Sequence, residues 1–176
     1  AKNTTVGIRT IQWTANDGFQ LNGRRVDLKG VCEHHTHGML GAAFFPRAME
    51  RKLEILKDMG INALRTSHNA EAPEVLEICD RLGIVVINEL FDKWDGTAGV
   101  RVKPAEYVEH HAEREVRNFV RRDRNHPSAA IWSISNEDWA VLANSDGKSS
   151  QHVARVVDFF RKYDPTRPTV MVSPLP

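Results

Sequence analysis

A glutamate at the end of an apolar run is the first residue in this chain whose setting suggests chemistry. Glu137 closes the stretch Ile131-Trp132-Ser133-Ile134-Ser135-Asn136-Glu137. Flanked by Trp132 and Trp139, its carboxylate is expected to be partly desolvated, which moves a carboxyl pKa toward the range of a general acid. Asn136 beside it can hydrogen-bond a hydroxyl or orient the carboxylate. Asn136-Glu137-Asp138 also has the composition of a helix cap, so the dipeptide by itself leaves both readings open. Four further groups carry polar, chemically capable side chains: His34 and His35, Arg65 with His68, Glu89, and Trp94 in Asn88-Glu89-Leu90-Phe91-Asp92-Lys93-Trp94. Trp94 offers either a flat apolar wall for a ring-shaped ligand or plain packing. His34, His35 and His37 cluster, but no carboxylate stands at a zincin spacing, and no metal is expected there.

These residues share a position in the pattern, each falling just after a short apolar run. The runs Val26–Cys32, Asn62–Thr66, Ile84–Leu90, Ala129–Ser135 and Thr169–Val172 lack polar alternation, as parallel strands covered on both faces do. Amphipathic helices separate them. Pro46 opens the first, with Met49, Leu53 and Leu56 on one face and Gly60 as the stop. The second carries Val75, Cys79 and Leu82 and ends at Gly83. The third runs from about Pro104 to Arg124 and stops at Asn125-His126-Pro127. The fourth places Val153, Val156, Val157 and Phe160 together and ends near Asp164-Pro165. A doubly wound sheet and the opening half of a (β/α)8 barrel both fit this rhythm. No Gly-rich phosphate loop follows the first strand, and the capable residues gather at the strands' C-terminal ends, which favours the α/β barrel. Ahead of the barrel, Val6 to Trp13 alternates at period two, and Asn22-Gly23 marks a hairpin. Residues 1–25 therefore read as the end of a preceding β domain with its linking hairpin, and residues 26–176 as the first half of the barrel.

Composition narrows the partners. Of 176 residues, 24 are basic and 23 acidic, for a formal net charge of +1, so neither nucleic acid nor an anionic membrane is expected as a partner. No apolar run approaches the roughly 20 residues of a membrane span. Cys32 and Cys79 each sit in an apolar stretch and read as small core residues rather than a disulfide. No leader opens the chain at Ala1 to Thr5, which reads as an internal boundary, and no residue signals a compartment.

Trp132-Ser133-Ile134-Ser135-Asn136-Glu137 resembles the acid/base signature of family 2 glycoside hydrolases, the group of β-galactosidases, β-glucuronidases and β-mannosidases. Leu28-Lys29-Gly30-Val31 followed by His34-His35 is similar to that family's first barrel strand. Arg65-Thr66-Ser67-His68 is similar to its second-strand motif, and Asp123-Arg124-Asn125-His126-Pro127-Ser128 to the run before its acid/base strand. Gly7-Ile8-Arg9 through Asn22-Gly23 resembles the end of its β-sandwich domain, so the likeness covers nearly the whole chain in order.

The resemblance implies a retaining β-glycosidase. Glu137 would protonate the glycosidic oxygen and later activate water, and Asn136 would contact the sugar beside the reacting carbon. Arg65 would hold site carboxylates, its alternative being a structural ion pair of the barrel interior. His68 would reach a sugar hydroxyl unless it is a satisfied buried histidine, and His35 is the weaker candidate to line the pocket. Glu89 matches a family glutamate that in some β-galactosidases shares magnesium with a histidine two residues on. Here that residue is Phe91, so Glu89 is assigned to substrate and no cofactor is expected.

A retaining enzyme also needs a nucleophilic carboxylate about 5 Å from the acid/base. No glutamate follows Glu137, and about 150 residues remain after the hairpin against about 250 for a whole barrel. The chain is thus expected to be an inactive piece of a longer enzyme. Its partners would be a carbohydrate substrate and the C-terminal half of the same barrel, with a homo-oligomer expected from its uncovered sheet edges. The His34-His35 start and Ser67-His68-Asn69 tilt the sugar toward β-galactosides. Two other readings stand beside this one: a different Asn-Glu barrel glycosidase of the endo-cellulase kind, and a non-catalytic carbohydrate-binding barrel.

Overall fold

The computed structural model describes residues 6–93, 107–137 and 148–172. Trp94 and Trp139 lie outside the described residues.

Two sheets form. The first is an antiparallel meander of β1 (Ile11–Thr14), β2 (Gly18–Leu21) and β3 (Arg24–Arg25). Leu21 pairs with Arg24 across a two-residue loop. Asn22 and Gly23 sit there at φ of 52° and 73°, the left-handed pair that a tight hairpin demands and that Asn-Gly tolerates. Trp13 and Phe19 pair across β1 and β2 with ring centroids 4.6 Å apart.

The expected strand over 6–13 is shorter than its alternation suggests. Residues 6–10 are not strand, and Val6 and Ile8 are exposed, because among the described residues no neighbouring strand pairs with them. Arg9 instead donates to the carbonyls of Pro127 and Ala129. Gly7 lies so close to Pro127 that a Cβ there would stand 2.4 Å from the proline ring. Burial, reinforced by the neighbouring Arg167, lowers the Arg9 pKa to about 10.

The second sheet holds five parallel strands in simple sequence order: β4 (Gly30–Glu33), β5 (Ala63–Thr66), β6 (Val85–Glu89), β7 (Ala129–Asn136) and β8 (Thr169–Val172). Each new strand adds on the same side of the last, as in a barrel, whereas a doubly wound sheet reverses its order. Helices α1 (Pro46–Asp58), α2 (Pro73–Leu82), α3 (Glu113–Asp123) and α4 (Lys148–Tyr163) make the crossovers. The result is an incomplete barrel of five strands with its helices outside. The expected helix ends agree closely. Proline opens α1 and α2, and Gly83 stops α2 at φ 67°. The first barrel strand is shorter than expected, since Asn62 claims the Lys29 amide (2.7 Å) and donates to the Asp27 carbonyl (2.9 Å), taking those groups out of the ladder. The third helix begins with a π turn over Val108–Ala112, which keeps Val108, Ala112 and Val116 buried at steps of four residues.

Strand alternation sorts the side chains. Outward-facing Trp132 and Ile134 of β7 pack on Val116, Phe119, Val120, Val156 and Phe160, forming one core cluster. A second joins Leu64 and Val86 to Met49, Leu53, Val75 and Cys79. Cys32 is not core as expected. It is exposed on the other, concave face, with its Sγ 3.8 Å from Arg65, because position 32 falls on the inward parity of β4; both cysteines are free.

The Asp123–Ser128 run serves the opposite end of β7 from Asn136. Arg167 donates to the carbonyls of Ala129 (2.7 Å), Arg124 (2.7 Å) and His126 (3.3 Å), and pairs with Asp164 at 2.6 Å. Asp164 also accepts the Trp132 indole N–H at 3.1 Å. Asp80 accepts the Ser128 amide at 2.9 Å and meets His126 Nδ1 at 2.6 Å. The bond to Asp80 raises the His126 pKa above 6.5, while partial burial opposes the shift. Burial also pushes Asp80 upward, but its bonds to His126 and Ser128 outweigh that and hold it below 3.8.

The signs define a pH window. The raised histidine contributes stability fully below its ordinary pKa of 6.5 and loses it as pH rises through the folded value. The depressed aspartate contributes above its ordinary 3.8 and loses it as pH falls. Thermal unfolding of wild type against His126→Gln is therefore expected to show the largest difference near pH 5, shrinking as pH rises past 7. A difference constant from pH 5 to 9 would show that the pair is not ionic.

Candidate active site

The C-terminal ends of β5, β6 and β7 bring Arg65, His68, Glu89 and Asn136 into one hydrogen-bonded group on the concave face. Glu89, the last residue of β6, is fully buried. Arg65 grips it with two nitrogens: Nε to Oε2 at 2.9 Å, and Nη2 to Oε2 and Oε1 at 2.7 and 3.0 Å. Ser133 Oγ donates to Oε2 at 2.6 Å, and His68 Nδ1 lies 2.8 Å from Oε1. The Glu89 amide is anchored on Thr66 Oγ1 at 2.7 Å. A buried carboxylate persists only when paired and hydrogen-bonded, and here both oxygens are occupied.

Arg65 is an interior ion pair with Glu89, and its Nη2 also donates to Asn136 Oδ1 at 2.9 Å. Asn136 is buried at the end of β7, and its Nδ2 donates to Asp92 Oδ1 at 3.2 Å. Asp92 returns a backbone bond, its carbonyl accepting the Asn136 amide at 2.6 Å. Lys93 Nζ reaches Asp92 Oδ1 (3.1 Å) and the Asn136 carbonyl (3.2 Å).

Glu137 stands next in the chain, exposed, at φ 48°. A non-glycine residue in the left-handed region is uncommon. The inward–outward alternation of β7 breaks before it, at a register shift against β8 between Ser133 and Asn136, which lets Asn136 reach the concave face despite sharing the parity of Trp132. The Glu137 amide donates to the Val172 carbonyl at 2.8 Å, so β8 secures this turn. Trp132, expected beside Glu137, is on the far side of the sheet, because a strand sends residues of opposite parity to opposite faces.

The two histidines after β4 part company. His35, at φ 47°, turns away from the Arg65–Glu89 group and sets its Nδ1 3.2 Å from Glu71. His34 is the one that meets the group, its ring edge-on to His68 with centroids 4.9 Å apart. Burial, with the charge of Glu33 next, pushes the Glu71 carboxyl up to about 7. Lys52 holds Glu33 at 2.7 Å behind the same loop. His35, the expected pocket residue, thus meets Glu71, while His34 meets His68, a division that a His-His pair does not announce.

A magnesium site does not fit at Glu89. Its oxygens are taken by a guanidinium, and Phe91 has no ligand atom to offer a hard cation. Among the described residues no group of three or more histidine, cysteine or acidic side chains is arranged to hold a metal ion.

The model of the TIM barrel domain of glycosyl hydrolases family 2 matches residues 14–174. This chain belongs to glycoside hydrolase family 2. It is 42% identical over 193 residues to beta-galactosidase BoGH2A of Bacteroides ovatus, covering 94% of this chain and 23% of that protein. It is 33% identical over 172 residues to the beta-glucuronidase of Homo sapiens, covering 96% of this chain and 25% of that one. Among solved structures, a family 2 member from Bacteroides cellulosilyticus superposes with a TM-score of 0.84 at 42% identity, over 94% of this chain and 22% of that one. The chain spans about a quarter of the length of these relatives.

Within this family 2 barrel, residue typing alone passed over Ser133, Asp92, Lys93 and Glu71. Ser133 was legible, since it shares the inward parity of β7 with Ile131 and Ser135. Asp92 and Lys93 follow the end of β6 in a segment with no period to read, and only their contacts reveal them.

Proposed function

We propose that this family 2 segment supplies the acid/base half of a retaining β-glycosidase whose substrates are terminal β-linked sugars, β-galactosides first among them. The observation that carries the reading is the wiring of Asn136. It is held between Arg65 and Asp92 at the strand end, with Glu137 immediately after it and exposed. In this role Glu137 protonates the glycosidic oxygen as the anomeric bond breaks, then takes a proton from the water that completes hydrolysis. Among the described residues the second Asn136 amide N–H meets no acceptor, and in this role it serves the hydroxyl beside the reacting carbon through a bond that strengthens in the transition state. His68 and His34 supply polar contacts to the ring, Arg65 and Glu89 fix the floor, and Trp94 is retained as an apolar wall. A beta-galactosidase and a putative beta-glucuronidase match this chain almost equally, at 42% and 41% identity, so the galactoside preference rests on the His34-His35 and Ser67-His68-Asn69 motifs.

The nucleophile is assigned to a part of the barrel outside these residues. Glu89 is a poor candidate, because a fully buried carboxylate with both oxygens bonded cannot approach an anomeric carbon. The same reading assigns residues 1–25 to the end of a preceding β domain, the partner of the concave face to the remaining barrel strands, and no metal to the chemistry. Residues 1–176 alone are expected to release no nitrophenol from nitrophenyl β-galactoside, while the full-length protein cleaves it faster than the β-glucuronide or β-mannoside. Turnover by the isolated residues that depends on Glu137 would overturn the division of the site. Faster cleavage of the glucuronide would move the substrate class.

A further inference from the structure

We propose that Asp92 is the positioning residue that fixes which end of the Asn136 amide faces the sugar. The inference rests on the proposed role of Asn136 and deepens it. An asparagine side chain presents an acceptor at Oδ1 and donors at Nδ2, and rotation by half a turn exchanges them. Here the two ends have incompatible partners. Arg65 Nη2, which can only donate, lies 2.9 Å from Oδ1. Asp92 Oδ1, a carboxylate oxygen that accepts when ionised, lies 3.2 Å from Nδ2. Turning the amide over would set donor against guanidinium and oxygen against carboxylate, so both contacts would become repulsive together. Arg65 Nη2 shares its two hydrogens between Glu89 and Asn136 and lies 3.3 Å from His68 Nδ1, so its hold on Oδ1 is divided and Asp92 supplies the second constraint. Asp92 itself is held in place: its backbone carbonyl takes the Asn136 amide at 2.6 Å, and Lys93 pairs with its carboxylate at 3.1 Å while reaching the Asn136 carbonyl. The remaining Asn136 N–H is thereby presented as a donor, and the hydroxyl it serves must accept.

The test separates this function from a structural one by removing the hydroxyl as well as the aspartate. In the full-length protein, kcat/KM is measured for the nitrophenyl β-glycoside it cleaves fastest and for the 2-deoxy analogue of that substrate. Asp92→Ala is expected to lower kcat/KM about tenfold on the hydroxylated substrate, the size of one well-placed hydrogen bond. On the 2-deoxy analogue the same variant should stay within about twofold of wild type. Asp92→Asn, which keeps an acceptor oxygen, should remain within about threefold of wild type on both. An equal loss for Asp92→Ala on both substrates overturns the proposal, as does an Asp92→Asn variant as impaired as the alanine. Asn136→Ala, run alongside, distinguishes the levels. If its loss also disappears on the 2-deoxy substrate while that of Asp92→Ala does not, Asp92 alone is misassigned. If the Asn136→Ala loss is the same on both substrates, the role of Asn136 itself fails.

Discussion

Replacing Glu137 by alanine in the full-length protein is expected to cut kcat/KM by a factor of about 10²–10⁴ on an aryl β-galactoside with a poor leaving group. On a dinitrophenyl galactoside the glycosylation step should fall far less. The asymmetry follows from what an acid does: a leaving oxygen of high pKa needs a proton as its bond breaks, while a good leaving group departs as an anion without help. The second half of the cycle still lacks its base, so intermediate should accumulate on the activated substrate, and added azide should restore turnover by attacking without a base. Wild-type behaviour on both substrates would leave Glu137 as a helix cap, the alternative that Asn136-Glu137-Asp138 permits.

The second large effect concerns Arg65 and is one of stability as well as rate. Arg65→Ala would strand Glu89, which is fully buried, without the guanidinium that meets it at 2.7 Å. Removing one partner of a buried ion pair costs about 3–5 kcal/mol, because the surviving charge keeps its desolvation penalty and loses its compensation. Ser133 and His68 still contact the carboxylate, which favours the lower part of that range. Chemical denaturation of the full-length protein measures the loss. Arg65→Met combined with Glu89→Leu should recover much of it, since no unpaired charge then remains inside. That double variant should stay inactive, because Asn136 has lost its donor. A loss below about 1 kcal/mol for Arg65→Ala would mean that solvent screens the pair.

These expectations draw on two sources. The strand–helix rhythm, the placement of polar residues after apolar runs, and the family were all legible in the chain, because each depends on local patterns. An apolar run needs cover on both faces, proline opens a helix, Gly83 accepts a left-handed turn, and Asn-Gly closes a hairpin. Arg65, His68, Glu89 and Asn136 were legible as a set because strands of one parallel sheet deliver their C-terminal residues to the same edge.

Tertiary structure decided the rest. It divided His34 from His35, and sent Trp132 to the helix side by strand parity. Cys32 went to the concave face instead of the core. Residues 6–10, alternating but without a neighbouring strand, were drawn instead toward the Pro127 and Ala129 carbonyls. Asp92 and Lys93 joined the site from a segment with no periodic signal. Residue types and their spacing report which groups can reach one end of a sheet, since that follows from local geometry. The partner each group takes there is set by contacts between residues up to 71 positions apart, as in Arg65 and Asn136, and only the folded chain brings those together.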